Sequence, residues 1–202
     1  EILRCLVGSE MCIRDSIRIV YMRIIGGAMV LKRKIYSKLL EWKEEASGSK
    51  AILIEGARRI GKSTVCEEFA KKEYDNYILI DFAKKDKEVE QYFASYLNDL
   101  DTFFMMLQAH FGKKLKQRDA VIIFDEVQMY PQARAAIKYL VADGRYDYME
   151  TGSLISIKEN VKDIVIPSEE RHLNMYPLDF EEFAWALGEE ILLELSLIHI
   201  SE

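Results

Sequence analysis

Gly56-Ala57-Arg58-Arg59-Ile60-Gly61-Lys62-Ser63 is the stretch on which the reading of the whole chain turns. It satisfies G-x-x-x-x-G-K-[ST] without deviation, and it stands between an apolar run, Ala51-Ile52-Leu53-Ile54, and a segment at 62–72 whose apolar residues recur at helical spacing. Strand, loop and helix in that order are the context the pattern needs. Its glycines let the backbone curl so that successive N–H groups, with the positive end of the following helix, face a phosphate chain. Lys62 is then placed to reach the β- and γ-phosphates as a mobile point charge, and the Ser63 hydroxyl to ligate Mg²⁺. Gly56, Ala57, Arg58, Arg59, Ile60, Gly61 and Thr64 complete the expected phosphate-binding loop. Behind it, Val65 with Phe69 and Cys66 with Ala70 are spaced to pack on a sheet.

Outward from this loop, helix and strand signals alternate. Ile35, Leu39 and Trp42 mark an amphipathic helix that Ser47-Gly48-Ser49 ends. Further apolar runs at Tyr77-Ile78-Leu79-Ile80 and Ala120-Val121-Ile122-Ile123-Phe124, and a weaker one at 146–149, read as strands buried on both faces. Helical patterns at 87–96, 101–111 and 132–141 lie between them. The order predicts an α/β fold with right-handed crossovers, a mostly parallel sheet and helices on both faces.

The third run drives into Asp125-Glu126, which puts two carboxylates at a strand's carboxyl end, where open α/β sheets bind ligands. Alone, such an ending is common and solvated. Together with the upstream phosphate loop it assigns Asp125 to the magnesium shell and Glu126 to an attacking water. A carboxylate that activates water beside a γ-phosphate favours hydrolysis, because a phosphotransferase must keep water away.

Composition frames these motifs. The 202 residues are 50% hydrophobic and 31% charged, which describes a folded domain and excludes a disordered or collagen-like chain. The most apolar stretch, 17–31, is interrupted by Arg18 and Arg23 and is too short for a spanning helix. A formal charge of −6 argues against a protein built mainly to coat nucleic acid. The basic run Lys113, Lys114, Lys116, Arg118 reads as a solvated loop, with nucleic-acid contact as its functional alternative. Three cysteines without metal-ligand spacing fit a reducing cytosol. His110 and Met105-Met106 read as packing, His172 lacks companions for a metal, and Asp81 is either structural or near the magnesium shell.

Four segments in this order resemble a known family. They are Gly56 to Thr64 with its Arg58-Arg59 pair, Ile123-Phe124-Asp125-Glu126-Val127-Gln128, Glu150-Thr151-Gly152-Ser153, and Met175-Tyr176-Pro177-Leu178-Asp179-Phe180-Glu181-Glu182-Phe183. Together they resemble the prokaryotic AAA+-type P-loop ATPases whose ATPase domain precedes a carboxyl-terminal domain of unknown function. The resemblance spans about 32–188. It implies a three-layer P-loop core with a five-stranded sheet, ATP and Mg²⁺ as ligands, and a strand ending at Thr151 between the phosphate-loop strand and the Asp-Glu strand. It also implies a γ-phosphate sensor on that strand, Thr151 or Ser153, and a fifth strand at 171–176. Members of this class close the site with a small helical lid. Here only helices around 179–193 follow, so the lid is expected to be missing or incomplete.

The two ends carry a shared peculiarity. Leu195 to Glu202 can be encoded by CTGTCTCTTATACACATCTCCGAG, whose reverse complement, read from its second base, gives Ser-Glu-Met-Cys-Ile-Arg-Asp, the sequence of Ser9 to Asp15. The DNA word resembles the transposon end used in sequencing-library preparation. The expected organisation is accordingly a non-native leader at 1–28, an ATPase domain at 29–188 starting at Met29, a truncated downstream region at 189–194 and an adapter-like tail at 195–202. The natural protein is expected to continue. Its expected activity is Mg-dependent ATP hydrolysis that drives a downstream domain or a protein partner. A nucleotide-gated binding module and a small-molecule kinase are the alternatives.

Overall fold

The computed structural model describes residues 31–153 and 169–187. The proposed leader and tail, Met29 and residues 188–194 lie outside this set.

The four apolar runs become strands β1 (Ala51–Gly56), β2 (Asn76–Asp81), β3 (Ala120–Asp125) and β4 (Asp147–Ser153), and the strand that the resemblance implied is β5 (Glu170–Met175). They form one five-stranded sheet in the order β2-β3-β4-β1-β5, and every neighbouring pair is parallel. Helix α1 (Ile35–Ala46) precedes β1, and α2 (Lys62–Glu73), α3 (Lys87–Tyr96), α4 (Leu100–Phe111) and α5 (Pro131–Asp143) run between strands.

Alternation along the strands sorts the core into two layers. Ile52 and Ile54 of β1, Val121 and Ile123 of β3 and Met149 of β4 pack with Leu39 and Trp42 of α1 and Val65, Cys66 and Phe69 of α2. Leu53, Ile122, Phe124 and Tyr148 point the other way, toward Phe93 of α3, Phe103, Phe104 and Leu107 of α4 and Ile137 and Leu140 of α5. Sheet and two helical layers make the three-layer α/β core expected from the sequence.

Helix ends follow local chemistry. Asp86 caps α3 by accepting from Glu88 N–H and Val89 N–H, Asp99 caps α4 by accepting from Thr102 N–H, and Pro131 opens α5. Gly112 and Gly144, both left-handed, close α4 and α5.

Several expectations need adjustment. The weak fourth strand is longer than 146–149 because Glu150, Thr151 and Ser153 are buried within it, and polar residues hide a strand from a hydrophobicity pattern. The fifth begins one residue early, at Glu170. Met105 is no core filler, since 59% of it is exposed. His110 packs edge-on against Tyr92 and also meets Asp86 at 2.9 Å and Glu88 at 3.2 Å, so its role is polar as well. His172 does have carboxylate neighbours, Glu170 at 3.2 Å and Glu55 at 3.4 Å. Among the described residues no group of three or more His, Cys, Asp or Glu could hold a metal ion. Asp81 is structural: it accepts from Ala83 N–H at 3.0 Å and pairs with Lys84. The basic run is largely engaged within the molecule, with Lys113 on the Tyr77 carbonyl, Lys116 on Asp75 and Asp119, and Arg118 on the Ser47 and Gly144 carbonyls.

Residues 31–34 and 178–187 belong to a second compact unit. Its helix α6 (Phe180–Leu187) begins with a reciprocal cap. Asp179 Oδ1 accepts from Glu182 N–H at 2.9 Å, and Glu182 Oε2 accepts from Asp179 N–H at 3.2 Å. Arg33 Nε and Lys34 N–H both donate to Glu182 Oε1, which anchors the segment before α1 to this helix.

Candidate functional site

The loop from Ala57 to Gly61 joins β1 to α2, and two glycines make it possible. A Cβ on Gly56 would lie 2.3 Å from the Met175 carbonyl oxygen, so the close approach of β5 excludes any side chain. Gly61 has φ of +93° and caps α2 without a side-chain hydrogen bond. The first N–H groups of α2 are thus left without a side-chain cap, as an anion-binding helix start requires.

Lys62 is 4% exposed and folds back over its own loop, where Nζ donates to the Ala57 carbonyl at 2.7 Å and the Gly56 carbonyl at 3.2 Å. Burial pulls its pKa below the ordinary lysine value, while the nearby carboxylates of Glu126 and Asp125 act in the opposite direction. Ala57, Arg58, Arg59 and Thr64 are exposed along the loop, and Ile60, Gly61 and Ser63 are half-buried.

Asp125, at the end of β3, gathers the site. Its Oδ1 accepts from Ser63 Oγ at 2.6 Å and from Thr151 Oγ1 at 2.5 Å. Since β4 lies between β3 and β1, these two bonds span the strand that separates phosphate loop and carboxylate. The Thr151 hydroxyl is buried and also accepts from Glu126 N–H at 3.2 Å. It faces inward on both counts. Ser153 stands beside Gly56 in the strand register and is buried, and its hydroxyl makes no hydrogen bond with the described residues.

Glu126 is half-buried, with φ of +53°, and its carboxylate accepts from Gln128 Nε2. Cys66, one turn behind Lys62, is fully buried; burial and the Asp125 charge push its thiol pKa far up, leaving it protonated and unreactive.

The side chains present fit a magnesium nucleotide. An ammonium, a hydroxyl touching a carboxylate and an uncapped helix start supply the donor for phosphate oxygens and the oxygen ligands that a hard cation takes. The structure brings together Lys62, Ser63, Asp125 and Glu126, which lie on two separate strand-to-loop junctions.

A family model described as an AAA domain matches residues 48–184, well over half of the chain. The chain belongs to that family. The AAA domain so defined takes in the phosphate loop, Asp125-Glu126, Thr151, Ser153 and β5, and it makes the protein a P-loop ATPase type whose family binds nucleotide. No curated protein matches the chain. Among solved structures, similarity is found to PCH-2 of C. elegans at 12% identity, over 85% of this chain and 48% of that one, with a TM-score of 0.43. The chain thus spans about half the length of that protein, and the likeness is too loose to bear on function. Among the described residues of the AAA domain no helix is long and apolar enough to cross a membrane.

Two site features are absent from the sequence reading. Gln128 stands inside the Asp125-Glu126 motif, but nothing in the pattern marks it as a partner of Glu126. The inward turn of Thr151 depends on strand register, which the short apolar pair Tyr148-Met149 leaves open.

Proposed function

We propose that this AAA domain hydrolyses ATP with Mg²⁺ and passes the resulting motion to a protein partner or to a further domain of the same polypeptide, as in the prokaryotic ATPases with a carboxyl-terminal domain of unknown function. The domain would occupy 29–188. The observation that carries the reading is the hydrogen bond from Ser63 Oγ to Asp125 Oδ1, which joins the phosphate loop to the strand that bears Glu126.

The residues divide the work. Backbone N–H groups from Gly56 to Thr64 cradle the phosphates, and Lys62 exchanges its loop carbonyls for phosphate oxygens. Ser63 and Asp125 would hold the metal, and Mg²⁺ when bound would supply charge neutralisation at the phosphates. Glu126 accepts the proton of a water whose oxygen bonds to the γ-phosphorus as the bond to the bridging oxygen breaks and ADP leaves with that electron pair. Ser153, buried beside Gly56 at the end of β4, senses the γ-phosphate, while Thr151 braces Asp125.

ATP turnover by the complete gene product, wild type against Glu126→Gln, tests the reading. The expected loss is about 100-fold or more, with ATP binding retained. Equal, slow turnover by both proteins with ATP still bound would leave a nucleotide-gated binding module. Transfer of phosphate to an added acceptor, with little free phosphate released, would mark a kinase.

A further inference from the structure

We propose that Gln128 is a positioning residue that fixes the Glu126 carboxylate for water and keeps it off Lys62; this rests on the reading of Glu126 as the water-orienting group. Glu126 is a half-buried carboxylate in the field of a buried ammonium, and the two charges attract. Direct pairing would disable both, since Lys62 is needed at the phosphates and Glu126 at the water. Yet no ion pair joins them among the described residues, and Lys62 turns to the Gly56 and Ala57 carbonyls instead.

The backbone explains part of this. Glu126 adopts a left-handed conformation, its N–H is tied to Thr151 on β4, and its carbonyl accepts from Met129 N–H at 2.9 Å in the 3₁₀ turn Val127–Met129. That turn swings the side chain two residues on back toward Glu126. Gln128 Nε2 then donates to Glu126 Oε2, which leaves Oε1 to accept from a water.

A packing role accounts poorly for this side chain. Gln128 is 3% exposed, and its own Oε1 is buried without a donor among the described residues. An apolar side chain of the same length would fill that space with no unsatisfied carbonyl. What glutamine adds over methionine at this position is the N–H that holds Glu126.

The test is a double-mutant cycle in the complete gene product, with Gln128→Met, Glu126→Gln and both together. Steady-state ATP turnover, binding of a fluorescent ATP analogue and thermal melting are measured for each. Gln128→Met is expected to lower kcat about tenfold or more while analogue affinity stays within about twofold and the melting transition remains cooperative. In the Glu126→Gln background the same change should have no further effect, because it acts only through that carboxylate. Turnover of Gln128→Met within about twofold of wild type overturns the proposal, as does a full multiplicative loss in the double variant. A parallel fall in affinity and melting temperature shows a structural residue and overturns it too. Glu126→Gln turning over like wild type instead removes the underlying reading of Glu126, an outcome separate from any of these.

Discussion

At the scale of single residues, the two hydroxyls of β4 carry distinct burdens. Thr151 satisfies two groups at once, donating to Asp125 and accepting the Glu126 N–H. Thr151→Val preserves shape but leaves that N–H and one carboxylate interaction without a partner inside the protein. The expected cost is about 1–3 kcal/mol of stability, seen as a lower melting temperature, together with slower turnover. Ser153 has no such bonds. Ser153→Ala should therefore melt within about 0.5 kcal/mol of wild type while losing turnover or nucleotide discrimination. If Ser153→Ala destabilises and Thr151→Val does not, the division of roles between the two hydroxyls is reversed. The motif Gly152-Ser153 and its neighbour Thr151 were legible as candidates from the chain alone. Which hydroxyl meets Asp125 was not, because Thr151 and Ser153 are two residues apart on the same face of β4, and only their position along the strand beside β3 separates them.

At the scale of elements, the loop between β1 and α2 is shaped by its neighbour β5 as much as by its own sequence. Gly56 pairs with Met175 across the parallel register, and the Met175 carbonyl sits where a Cβ would be. Gly56→Ala must push β5 away or bend the loop, at a cost of about 1–3 kcal/mol. The accompanying shift of the loop carbonyls that hold Lys62 should weaken ATP binding beyond what the stability loss explains. Measuring both melting and nucleotide affinity separates the two effects, and an alanine variant with wild-type affinity would show that the loop is insensitive to β5. The phosphate-loop motif itself announces a glycine here, but the reason in this fold is a backbone oxygen 119 positions further along the chain (175 − 56). Local patterns identify β1, β3 and most helices because apolar runs and capping residues are local signals. They locate β4 and β5 less well, since Glu150, Thr151 and Glu170 are buried polar residues whose partners lie far away in sequence.

At the scale of the whole molecule, those buried polar residues tie a helix to the sheet. Arg134 of α5 donates from Nη2 to Glu170 Oε2 at 2.8 Å and from Nε to Glu170 Oε1 at 3.3 Å, with both side chains almost wholly buried. His172 on β5 meets the same Glu170 carboxylate at 3.2 Å. Glu150 of β4 is also fully buried beside this pair, and no group among the described residues donates to either of its carboxyl oxygens. Its partner is the Glu170 carboxylate, to which it can donate only when protonated. Burial, reinforced by the hydrogen bond to Glu170 and by its charge and only partly offset by Arg134, raises the Glu150 pKa well above the usual glutamate range. The folded protein therefore holds a proton that the unfolded chain releases once pH exceeds that usual range. Over this interval the native state binds more protons than the unfolded state, so stability must fall as pH rises, until the folded pKa is passed. Glu150→Gln keeps the neutral form's shape at every pH and removes this linkage. Its melting temperature should fall less steeply than that of wild type between about pH 5 and 8, and its advantage over wild type should grow toward the alkaline end. Melting curves that run parallel across that interval would show that Glu150 is not the proton-linked group. Arg134→Met, by contrast, takes the guanidinium away from the buried Glu170 carboxylate and should destabilise by about 3–5 kcal/mol, because it breaks the buried Arg134–Glu170 pair.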